Sequence, residues 1–85
     1  MTFKEKLSCS TLTDDQHRRI IQNAEYFISV MDTRDELEYQ QGWLSAFVWC
    51  LETMSFICPR EREKYLAFIN EKYENRLEEI EKRSL

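Results

Sequence analysis

Three groups of residues have types and spacings that chemistry uses. Cys9 and His17 form the one thiol and imidazole pair that lie close in sequence. A catalytic thiolate needs a base, a third group to orient that base, and amide donors for a developing oxyanion. With a single Gly and no Gly-rich loop, the chain offers no such amides. Cys9 therefore reads as a thiol placed to react in a polar stretch, and His17 as a half-exposed helical histidine; no catalytic residues are expected.

Asp32, Asp35, Glu36 and Glu38 cluster within seven residues. They match no EF-hand pattern and have no glycine at a turn. Acids also collect at helix N-termini because the helix dipole favours them there. They are expected to be helix-start acids that double as an acidic recognition patch for a basic partner, not a metal site. The third group, Arg18, Arg19, Arg60, Arg62 and Lys64, is the best basic material for nucleic acid. The run Arg-Glu-Arg-Glu-Lys carries acid between its bases, and it reads as a solvated helix start.

Charge balance points the same way. The chain has 12 basic and 16 acidic residues, a net charge of −4. Residues 1–59 hold 5 basic and 9 acidic side chains while 60–85 hold 7 of each, so the excess sits in the first two thirds. Counterion release rewards basic faces on nucleic acid; nucleic-acid association is thus a third-ranked reading.

The cysteines offer little more. Cys50 and Cys58, eight residues apart on an expected helix, are separated by about 12 Å of rise. That exceeds the roughly 7 Å Cα separation a disulfide tolerates. Both read as small buried hydrophobes. With one His and no CxxC pair, zinc ligation is not expected, nor is any cofactor. Unpaired cysteines, a mixed-charge N-terminus and an apolar run too short to span a bilayer suggest a cytoplasmic setting with no membrane partner.

These residues must be positioned by helices. Thr13-Asp14-Asp15-Gln16 and Thr33-Arg34-Asp35-Glu36 both have the form of a capping box, and Pro59 suits the first position of a third helix. The spacing predicts helices near 14–31, 34–57 and 59–83, with residues 1–12 as an arm and 13–85 as one helical domain. Two carboxylates follow Thr13, and Asp14 with Arg18 and Asp15 with Arg19 are spaced to pair.

The middle helix contains the only long apolar run, Trp43 to Cys58. Trp43, Phe47, Cys50, Met54 and Ile57 fall on one row, Leu44, Val48, Leu51 and Cys58 on the next, and Gly42, Ala46, Trp49 and Phe56 flank them. Two neighbouring helices with one stripe each cannot cover three rows. The expected fold is therefore all-α, a small three-helix bundle with a central apolar helix, completed by homodimerisation. Because the joints read as tight, exchange of the third helix with a partner chain is a further expectation.

Eleven aromatics in 85 residues and this surplus apolar surface suggest an interface made by Trp43, Ala46, Phe47, Trp49, Cys50, Thr53 and Phe56. The functional expectation is a small acidic, non-enzymatic interaction module, a regulator or inhibitor that binds a larger protein. Chains of this type occur among bacterial and phage accessory proteins. The alternative is an assembly subunit that acts by self-association.

Overall fold

The computed structural model describes residues 11–83. Among them are three helices, α1 (Asp14–Ser29), α2 (Arg34–Thr53) and α3 (Pro59–Arg83), in an all-α bundle. The cysteine at position 9, expected to be reactive, lies outside the described residues, as does most of the arm. At the arm's end, the Thr11 amide donates to the Phe56 carbonyl at 3.0 Å, and Leu12 packs against the core.

Each helix begins where local chemistry directs it. At α1 both halves of the capping box form: Thr13 Oγ1 accepts from the Gln16 amide at 3.1 Å, and Gln16 Oε1 accepts from the Thr13 amide at 2.9 Å. At α2 only the first half forms. Thr33 Oγ1 accepts from the Glu36 amide at 3.1 Å, but the Glu36 carboxylate takes the Thr33 hydroxyl proton instead of the backbone N–H. At α3, Cys58 has no hydroxyl to contribute. Glu61, three residues on, instead accepts from the Cys58 amide at 3.3 Å.

α1 ends at Ser29, so four residues turn the chain where about two were expected. α2 ends at Thr53, four residues before the expected Ile57. The reason is a Schellman motif. The Phe56 amide donates to the Leu51 carbonyl at 2.8 Å and the Ser55 amide to the Glu52 carbonyl at 2.9 Å, with Ser55 in the left-handed region at φ 64°. The reversal carries Ile57 back into the core.

A serine held left-handed costs about 1–2 kcal/mol, against which glycine's greater freedom in the unfolded chain costs about 0.4–1 kcal/mol. Ser55→Gly is therefore expected to stabilise the fold by about 0.5–1 kcal/mol, read as a higher denaturant midpoint at constant slope. A lowered midpoint would refute this account of the turn.

α2 runs antiparallel to α3, and α1 runs parallel to α3. α2 and α3 share the most extensive contact, and α1 touches α2 least. α3 packs against α1 and α2 of its own chain. The core joins Ala24 and Ile28 of α1, Leu37, Leu44, Val48 and Leu51 of α2, Ile57, and Tyr65, Ile69 and Ile80 of α3. Arg76, a largely buried side chain, fastens the α1–α2 turn. Its Nε donates to the Met31 carbonyl at 3.0 Å, and its guanidinium lies 3.4 Å from Asp32 and 3.1 Å from Glu79.

Two cysteine readings are corrected. Cys50 is exposed and free, not buried. Cys58 is half-buried and disulfide-bonded. The helix-spacing argument excluded only a bond between Cys50 and Cys58. No helix among the described residues is long and apolar enough to cross a membrane.

Candidate interaction surface

Only one of the three apolar rows on α2 faces the bundle. Leu37, Leu44, Val48 and Leu51 are buried, whereas the row that begins at Trp43 points outward. Tyr39 is 73%, Trp43 57%, Phe47 38%, Trp49 49% and Met54 65% exposed. Ala46, Cys50, Thr53 and Phe56 are exposed too, so every residue expected at an interface lies at the surface of the protomer.

At about 100° per residue, Gly42, Ala46, Cys50 and Thr53 form the crest of the helix. Trp43, Phe47 and Met54 flank it on the α1 side, and Trp49 flanks it on the α3 side. A Cβ built on Gly42 meets nothing within 4 Å, so the crest is open.

Both flanks are braced. Trp43 and Phe47 stack with ring centroids 6.3 Å apart and planes 11° apart. Their side continues onto Phe27 of α1, which borders the same surface hollow as Tyr39, Gln40 and Trp43. Beneath it a cavity of about 170 Å³ opens between the loosely joined α1 and α2, floored by Tyr65 and Ile69 of α3. On the opposite flank the Arg62 guanidinium sits 4.3 Å from the centroid of the Trp49 ring and pairs with Glu52. Arg62, expected to be solvated, is thus committed to an intramolecular pair and is mostly buried, its Nε lacking a hydrogen-bond partner. Between Tyr39 and Met54 the sole charged residue is Glu52, so the crest and its α1 flank carry no charge.

The four acids do not converge. Asp32 is paired with Arg76, Glu38 lies 3.3 Å from Arg34, and Glu36 bonds Thr33. Asp35 and Glu36 border a shallow hollow with Met31 and Tyr39, while Glu38 and Glu36 point about 160° apart on the helix. Arg18 and Arg19 are similarly occupied: both reach Asp15 at 3.0 Å, where Asp14 was expected to take Arg18.

One polar cluster escaped the sequence reading. His17 of α1 lies between Tyr65 and Glu61 of α3, its Nδ1 hydrogen-bonded to the Tyr65 hydroxyl and its Nε2 3.3 Å from the Glu61 carboxylate. The His17 and Tyr65 rings stack at 5.7 Å. All three are satisfied when the Tyr65 hydroxyl donates to Nδ1 and the Nε2–H faces Glu61. Burial, reinforced by the charge of Glu61, pushes the Tyr65 phenol up to about 12. That shift disfavours phenolate, the form a nucleophile or base would need, and suits a neutral hydroxyl clamping α1 to α3. His17 and Tyr65 are 48 positions apart, and no local pattern announces them.

No protein-family model, curated protein or solved structure matches this chain.

Proposed function

We propose that this chain is a non-enzymatic protein–protein interaction module, a small acidic regulator or inhibitor that docks on a protein partner through the outer face of α2. The supporting observation is the exposed, uncharged strip from Tyr39 to Met54, broadened by Phe27. Exposed aromatic patches with polar rims mark docking surfaces, and tryptophan and tyrosine dominate the energetics of such surfaces. The scattered acids form the rim, which steers encounter without setting the contact.

Ala46→Glu tests the reading. It places a charge at the centre of the crest, on an exposed helical position where glutamate is well tolerated. Affinity capture with the tagged variant is expected to lose proteins that the wild-type chain retains, while Gln22→Ala, on the exposed side of α1, retains them. Identical recovery by Ala46→Glu and wild type would remove the face from the function. The self-association reading draws on one property of the same face, the absence of charge along its crest.

A further inference from the structure

We infer that the occupant of the α2 face is a second copy of this chain, packed crest to crest about a twofold axis near Ala46. This rests on the reading of that face as a docking surface and names what covers it.

A twofold interface sets one patch against the same patch of the second copy and brings the residues at its axis against their own counterparts. Like charges forbid that, and elsewhere on this acidic chain they are abundant. Tyr39, Gly42, Trp43, Ala46, Phe47 and Cys50 supply a strip where the restriction is lifted, because contact there brings no like charges together and buries none.

The relief of the strip fits a helix of the same kind. Gly42, Ala46 and Cys50 repeat every four residues, making a low ridge along which another backbone can come close. The stacked pair Trp43 and Phe47 on one side and Trp49 on the other stand where they straddle a helix laid on that ridge. Gly42 has open space above it, so no side chain of the protomer fills the approach.

The available area reaches the threshold for a specific interface. An aromatic side chain buries about 150–250 Å² when wholly covered. The exposed fractions of Phe27, Tyr39, Trp43, Phe47 and Met54 therefore leave on the order of 500 Å² per copy, or about 1,000 Å² for a symmetric pair, the lower bound for a specific interface.

The test uses the full chain. Light scattering in the tens of micromolar range is expected to give twice the 10.4 kDa mass for wild type and the single mass for Ala46→Glu, with the helical circular dichroism of the two superimposable. Facing glutamates at the axis are expected to weaken the pair at least about 100-fold. In a Cys50→Ser background, Ala46→Cys is expected to oxidise to a covalent dimer, while Gln22→Cys is not. This pairing holds for parallel and antiparallel helices alike, because position 46 lies on the axis in both.

A wild-type monomer overturns the proposal, as does a dimer whose mass Ala46→Glu leaves unchanged or an Ala46→Cys variant that crosslinks no better than Gln22→Cys. If wild type is monomeric but Ala46→Glu still loses captured proteins, the second copy is excluded and the docking face stands. If wild type is monomeric and capture is unaffected, both readings fall.

Discussion

Leu37→Ala is expected to remove about 3 kcal/mol of stability, the middle of the range for a wholly buried leucine. Leu37 has no exposed surface, sits one turn into α2, and is among the few side chains the bundle encloses completely. A domain of this size holds about 4–13 kcal/mol in total, so the loss is a large fraction of it. It corresponds to a fall in Tm of about 12–25 °C at roughly 4–8 °C per kcal/mol.

The informative control is Trp43→Ala, which deletes a far larger side chain from the same helix. Because Trp43 is more than half exposed, its loss is expected to cost the protomer less than about 1 kcal/mol, since surface substitutions away from special features have small effects. Denaturant titration of both variants at a concentration too low for association separates core from surface. Equal losses would mean that the outward assignment of the Trp43 row is wrong.

Tyr65 carries the second large effect, and it appears only at high pH. The native phenol titrates near 12, whereas an unfolded tyrosine titrates near 10. Below pH 10 the group is neutral in both states and contributes no pH dependence. Between pH 10 and 12 the unfolded chain gives up a proton that the native chain keeps, so stability falls as pH rises. At about 1.4 kcal/mol per pH unit the loss reaches roughly 2–3 kcal/mol by pH 12.

Tyr65→Phe is expected to cost about 1–2 kcal/mol at neutral pH, because His17 Nδ1 loses its donor in a part-buried site. It should also flatten the alkaline limb. Every other titrating group is common to both proteins, so the difference between their stability curves isolates this one. Parallel curves from pH 9 to 12 would show that Tyr65 is not held neutral by the fold.

Comparison of these residues shows what the chain announces locally and what it does not. Helix starts were legible because capping is a four-residue affair: Thr13 with Gln16, and Thr33 with Glu36. The end of α2 was not, since Ser55 takes the left-handed role usually marked by glycine, and Met54 and Ile57 prolong the apolar row past the true stop.

That α2 has more apolar surface than two neighbours can cover was legible; which row turns inward was harder. Residue size suggests the Trp43 row. The bundle instead buries the row that persists along the whole helix, Leu37, Leu44, Val48 and Leu51 at 7-4-3 spacing. The heptad predecessors of Trp43 and Phe47 are Glu36 and Gln40, which a core would not accept. Cys58 misled for a different reason, because a disulfide depends on a partner brought close in space, which spacing on one helix does not reveal. The contacts of His17 and Arg76 across the bundle are equally invisible to a local reading.

The way α1 is fastened has one more consequence. Besides the burial of Ala24 and Ile28, it is tied to α3 by polar contacts: His17 to Tyr65 and Glu61, Glu25 to Lys72 at 3.3 Å, and, in the turn that follows, the Met31 carbonyl and Asp32 to Arg76. α2 and α3 behave as a hairpin with an oily seam, and α1 is a strap laid along it. Ionic strength weakens the Glu25–Lys72 and Asp32–Arg76 pairs along the strap and leaves the apolar burial of both strap and seam unchanged, because screening acts on charges. Since Phe27 and Trp43 meet where strap and hairpin adjoin, the width of the aromatic edge offered to a neighbour becomes adjustable by salt.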